Sequence, residues 1–148
     1  MVRSKSRSAA RLAAVQALYQ HDMEGTAPAR LITEFHHHRL GATIEGATYA
    51  NAEQSFFDDL VSGTTDRLAE IDELIGGNLA DGWSLPRLDK PMKAILRVGA
   101  YELLARRDVP LGSVIDEYLD VAEAFYDKRE KGFVNGLLDS IAKVARPA

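Results

Sequence analysis

The sequence predicts an all-α protein, a bundle of six to seven helices, and three observations carry that reading. Apolar residues recur at i, i+3, i+4 and i+7 through most of the 148 residues, the spacing that lines one face of a helix. No run alternates apolar and polar residues up to a hairpin signal. There is no internal repeat, and no low-complexity segment beyond a short basic arm at the start.

Each element has its own justification. Leu12, Val15, Leu18, Tyr19 and Met23 follow the helical rule and predict a first helix over about 7–24. Gly25-Thr26-Ala27-Pro28 stops it, and Pro28 is placed to open the next helix. Ala29–Arg39 carries Leu31, Ile32 and Phe35 and reads as a weaker helix. Gly41–Asn51 has no periodicity and reads as a loop. One stripe of Phe56, Phe57, Leu60, Val61, Thr64, Leu68, Ile71, Leu74 and Ile75 predicts a single long helix over about 55–78, with its acids on the opposite, wet face. Trp83-Ser84-Leu85-Pro86 reads as a connector, and Pro86 or Pro91 starts the helix that carries Met92, Ile95, Leu96, Tyr101, Leu103 and Leu104 to about Arg107. Asp108-Val109-Pro110 breaks the chain. Ile115 to Tyr126 then makes another helix, Lys128–Lys131 a charged turn, and Val134 to Val144 the last helix.

Length and composition bound the rest. A chain of 148 residues fits one domain and can bury roughly 70% of its unfolded surface without staples. With no cysteine, disulfides, thiol nucleophiles and cysteine metal sites drop out. No apolar run approaches the ~18 residues of a membrane span. The N-terminus is polar and basic with no apolar signal core behind it, so a cytoplasmic protein without a membrane partner is expected.

The net charge of −4 argues mildly against a nucleic-acid partner until its distribution is considered. Residues 1–21 hold Arg3, Lys5, Arg7 and Arg11 and no acid, and the rest of the chain sets 14 basic against 22 acidic residues. A basic arm on an acidic body hints at an anionic partner.

The residues offer little to catalysis, and neither catalytic residues, metal ligands nor a cofactor is expected. His36-His37-His38 project about 100° apart on a helix and cannot converge on one metal, which needs i, i+4 spacing; a surface run of polar rings is the better reading. His21 and Asp22 face different ways. Gly76-Gly77 lacks the lysine and the further glycines of a phosphate cradle. The basic residues say more. Arg3, Arg7 and Arg11 stand at i, i+4 and i+8, one stripe if the first helix reaches back that far, while Lys5 falls elsewhere. Arginine offers phosphate a planar fork and stacks on bases, which suits RNA; the alternative is a solubilising tail. A second patch, Lys128, Arg129 and Lys131, leads into Phe133 and combines charge with a stacking face; the alternative is that Phe133 packs in the core and the cations are merely wet. Gly99 and Gly136 each cost a helix about 1 kcal/mol against alanine, and close helix–helix approach is the expected return at both.

Three stretches, in order along the chain, resemble the NusB family of transcription antitermination factors: Ala10-Arg11-Leu12-Ala13-Ala14-Val15-Gln16-Ala17-Leu18-Tyr19, then Lys93-Ala94-Ile95-Leu96-Arg97-Val98-Gly99-Ala100-Tyr101-Glu102-Leu103 with Asp108-Val109-Pro110 after it, and Gly132-Phe133-Val134-Asn135-Gly136-Leu137-Leu138-Asp139. Any one is weak; the ordered set is specific and leaves only about 25–55 and the last few residues uncovered. The resemblance implies a single NusB-like domain of two packed three-helix subdomains, about 1–80 with the basic arm and about 85–148. It implies binding of the boxA element of ribosomal RNA leaders as single-stranded RNA, together with NusE, a small-subunit ribosomal protein, within the RNA polymerase antitermination complex. Arg7 and Arg11 match arginines of the family's RNA-binding arm and Phe133 its motif aromatic. NusE would dock mainly on the C-terminal subdomain.

The chain also departs from the family pattern. Ser8 and Ala9 stand where further arginines occur, which predicts weaker phosphate neutralisation. Arg129 stands where some members carry an acid, and a basic side chain there can contact phosphate instead. Residues 36–54 look longer than usual. Two other readings remain at this point: a helical interaction module or homodimer without an RNA role, and the excised RNA-binding domain of a ribosomal-RNA methyltransferase.

Overall fold

The computed structural model describes residues 2–37 and 51–147, with the backbone alone at 2–6, 51 and 52. Among the described residues there are seven α-helices and no strand: α1 (Val2–Glu24), α2 (Pro28–Phe35), α3 (Asn51–Asp66), α4 (Leu68–Asn78), α5 (Lys90–Ala105), α6 (Leu111–Glu123) and α7 (Lys128–Ala145). A 3-10 turn, Leu85–Arg87, leads into α5. None of these helices is long and apolar enough to cross a membrane.

The all-α expectation holds, and the boundaries correct it in instructive places. The first helix begins at Val2 rather than near residue 7, so the basic arm is helical backbone and Arg3, Arg7 and Arg11 do share one helix. Pro28 opens α2 as expected, at a position where its missing N–H costs nothing. The predicted loop at 41–51 lies almost wholly outside the described residues, as does His38. The long helix predicted over 55–78 is two, because Arg67 leaves helical geometry at φ −110° and ψ 22°. Gly76 and Gly77 lie within α4, which runs on to Asn78. Lys128–Lys131 is not a turn but the first turn of α7, and Phe125 and Tyr126 lie beyond the end of α6.

α5 is the centre of the molecule. It packs against α1, α3, α4, α6 and α7. Ten of its residues, from Met92 to Leu103, are buried. Its start is fixed by Asp89, whose carboxylate accepts the Met92 N–H at 3.0 Å, a cap worth about 1 kcal/mol. One continuous core joins Leu18, Phe56, Phe57 and Leu60 to Leu96, Leu103, Tyr118 and Leu138.

Two glycines record how closely the helices approach. A Cβ on Gly99 would lie 3.2 Å from Leu138 Cδ2 and 3.4 Å from Tyr118 Cγ, so α5 meets α6 and α7 there as its sequence position suggested. The same expectation fails at Gly136, where a Cβ would meet nothing within 4 Å. The tightest site is one that periodicity did not mark: a Cβ on Gly63 would stand 2.1 Å from Tyr101 Cζ. That opening lets the Tyr101 ring lie against α3 and its hydroxyl donate to Asp59, one turn before Gly63, at 2.6 Å.

Candidate nucleic-acid interface

The two basic regions read from the sequence meet different fates. Arg11 is only 3% exposed. Its Nε donates to Glu102 Oε1 at 2.9 Å, one terminal nitrogen reaches Oε2 at 2.7 Å, and the other lies 3.2 Å from Glu117. Tyr118 donates its hydroxyl to Glu102 at 2.8 Å, and Ser8 donates to Glu117 at 2.9 and 3.0 Å. Burial works against the Arg11 charge, but hydrogen bonding and attraction from Glu102 outweigh it and hold the guanidinium pKa above its ordinary value. The fully buried Tyr118 hydroxyl is pushed well above the usual phenol range, first by desolvation and then by the Glu102 charge. Arg11 therefore has its donor fork committed inside the protein, joining α1 to α5 and α6.

Arg7, one turn earlier, is half-buried. Its guanidinium carbon sits 4.6 Å from the centroid of the Phe56 ring, while Arg11 and Arg106 approach the same ring at 5.0 Å each. Cation–π attraction of this kind is worth about 0.5–2 kcal/mol, most where water is excluded. Arg106 is otherwise engaged with Asp59 at 3.2 Å and Asp108 at 3.1 Å. The Nε of Arg7 is buried without a hydrogen-bond partner. Only the backbone of Arg3 and Lys5 is described, so contacts of their side chains lie outside the described residues.

The second region is open. Lys128 and Arg129 are exposed on the first turn of α7, and no ion pair among the described residues involves either. Lys131 pairs with Glu123. Phe133 packs against the core from a half-buried position, and it also lines a groove of about 410 Å³ shared with Trp83, Arg87 and Arg129. Trp83, which the sequence marked only as connector, is 52% exposed beside it. An isolated aromatic among Gly, Ser and Pro has no periodicity to announce it. The histidine run divides: His36 Nε2 lies 2.6 Å from Asp58, and His37 is exposed. Among the described residues no group of three or more His, Asp or Glu is placed to hold a metal ion.

Comparison with known proteins agrees with this architecture. The pattern of the NusB family matches residues 8–143. The transcription antitermination protein NusB of Sphingopyxis alaskensis is 63% identical over 144 residues, with 97% of each chain covered. Coverage that complete leaves no room in that relative for a methyltransferase domain. Among solved structures, NusB of T. maritima superposes with a TM-score of 0.81 at 32% identity, over 95% of this chain and 93% of that one. A structure described as antitermination factors NusB and NusE in complex with dsRNA gives 0.80 at 26% identity, over 95% and 98%. On the family match and the 63% relative together, this chain belongs to the NusB family.

Proposed function

We propose that this protein is a transcription antitermination factor that binds boxA-type leader RNA, including that of ribosomal RNA operons, jointly with NusE, and so enters the RNA polymerase antitermination complex. The observation that carries the reading is the likeness, over almost the whole of both chains, to a structure of NusB with NusE and dsRNA. The name and 63% identity of the Sphingopyxis relative support the same role.

In this reading the chain works as one domain, its helical halves (about 1–80 and about 85–148) joined along α5. RNA is met by Arg3, Lys5 and Arg7 of the arm and by Lys128, Arg129, Lys131 and Phe133 of α7. Cations along these two stretches neutralise phosphate, and Phe133 offers a stacking face to an unpaired base. Arg11 contributes from inside, as a positioning residue that fixes where α1 lies. The acidic body favours approach of a basic ribosomal protein.

The test is titration of the protein with a short single-stranded boxA-type RNA, with and without NusE, at two salt concentrations. Tighter, sequence-selective and salt-sensitive binding with NusE is expected, and Arg7→Ala should reduce the log–log salt slope by about 0.7, one single-strand phosphate contact. Absence of binding under both conditions, with the helices intact by circular dichroism, overturns the proposal.

A further inference from the structure

The groove beside Phe133 holds more than the motif aromatic. Trp83 is the one tryptophan of the chain, and half of it faces water, although an indole is among the side chains that gain most from burial. Its ring centroid lies 6.2 Å from that of Phe133 at an interplanar angle of 44°. Arg87 places its guanidinium carbon 5.6 Å from the indole centroid. Leu88 and Met92 line the apolar side of the groove and Arg129 adds a second cation.

Two carboxylates also line it, Asp89 and Glu130, and their states differ. Asp89 is committed, accepting the Met92 N–H and the Tyr126 hydroxyl. Glu130 makes no ion pair among the described residues and is half-buried. The groove thus offers one aromatic pair, two arginines and one carboxylate acceptor.

We propose that this groove is a nucleotide subsite, in which one unpaired base of a single-stranded RNA stacks on Trp83 against Phe133 while Arg129 meets the adjoining phosphate. Trp83 and Arg87 are thereby RNA-contacting residues in their own right. The proposal rests on the RNA-binding reading above. Stacking on both faces needs roughly 3.5 Å on each side of the base, so the ring pair opens by about 1 Å and flattens its tilt. Arg87, which lies over the indole and donates to the Gly82 carbonyl, gives up that bond and slides to the rim, where its planar fork suits phosphate. Glu130 is placed to accept from an exocyclic amino group, which favours a base that carries one. A base fits these partners better than a peptide side chain does: the indole offers a flat face, and an aliphatic knob would use neither arginine.

The single tryptophan makes the test direct. Wild-type protein is titrated with boxA-type RNA, and with the same RNA made abasic at one position at a time, while Trp83 emission is followed. Intact RNA should quench the emission. One abasic position should abolish most of the quench and weaken binding roughly five- to 150-fold, the range for loss of one aromatic–base stack. Trp83→Ala should weaken binding of intact RNA by a similar factor and become indifferent to that abasic position, while Trp83→Phe recovers part of the loss. A merely structural Trp83 would shift every RNA alike.

Salt-sensitive, Arg7-dependent RNA binding with unchanged emission and unchanged affinity in Trp83→Ala overturns the subsite and leaves the RNA reading standing. Quenching by NusE alone, with no further change on adding RNA, assigns the groove to a protein segment and also overturns it. If wild-type protein binds no RNA with or without NusE, both proposals fall together.

Discussion

Arg11 on α1 and Arg129 on α7 are the same side chain in opposite circumstances. Arg11 is enclosed, with Glu102, Glu117 and the Phe56 ring around its guanidinium. Arg129 stands in water on the rim of a groove, without an ion pair among the described residues. The comparison teaches that a basic stripe in a sequence does not fix which way it faces. On α1 Arg11 turns inward because α5 and α6 bring Glu102 and Glu117 to meet it, and the cation becomes part of what holds the helices together. On α7 no acid among the described residues forms an ion pair with Arg129, and the cation remains available to an anion from outside.

The sharpest way to break that comparison is to remove the acid. Glu102→Leu leaves Arg11 buried with only Glu117 beside it, and losing one partner of a buried pair costs about 3–5 kcal/mol. Denaturant unfolding should show a loss at the lower end of that range, since Glu117 remains. The double variant Arg11→Met with Glu102→Leu should recover much of it, because two apolar side chains leave no orphaned charge. Arg129→Ala should stay within about 0.5 kcal/mol of wild type. Equal losses at Glu102 and Arg129 would erase the distinction.

A second contrast uses glycine in place of charge. Gly63→Ala drives a Cβ into the Tyr101 ring and should cost about 1–3 kcal/mol by overpacking, with loss of the hydrogen bond from Tyr101 to Asp59. Gly136→Ala enters open space on an exposed stretch of α7 and should gain up to about 1 kcal/mol from helix propensity. Paired thermal melts decide both. A destabilised Gly136→Ala protein would point to a tight contact at that face.

The smallest effect is one of pH. The folded protein raises the Tyr118 pKa above the ordinary value, which is about 10, so the native state holds that proton more tightly than the unfolded chain does. Its contribution is present in full below about pH 10 and is lost as the pH rises further. Tyr118→Phe should therefore lower stability modestly at neutral pH, by about 1 kcal/mol for the lost hydrogen bond, and decline less steeply under alkali. Tyr126 and Tyr101 are raised as well, so the slope should shrink without vanishing.

Periodicity made the helices legible because it reports local geometry. It carried the eye through Arg67, where the apolar stripe of Thr64, Leu68 and Ile71 continues without a Gly or Pro to mark the break between α3 and α4. The family resemblance lay in the ordered motifs themselves. What the sequence could not reveal was pairing at a distance: Arg11 and Glu102 are 91 positions apart, and nothing local to either names the other. Gly63 escaped notice for the same reason, since its need for space is set by Tyr101 on another helix. Phe133 was visible as a motif aromatic, but its neighbour Trp83 belongs to no motif and to no helix, and only the approach of α7 to the segment before α5 gives it a role.

Glu102 is gripped from both directions. Arg11 of the first helix holds its carboxylate, and Arg146, just past the last helix, donates to its backbone carbonyl at 3.3 Å. Arg146 also donates to the carbonyls of Leu103, Arg106 and Val109, knotting the end of α5 and the turn after it. Tension drawing the first and last helices apart would converge on this one stretch of α5. Such a load path resists until the ion pair and the carbonyl clip give way together, so mechanical unfolding should be abrupt, and its rate should be set by how fast that knot opens.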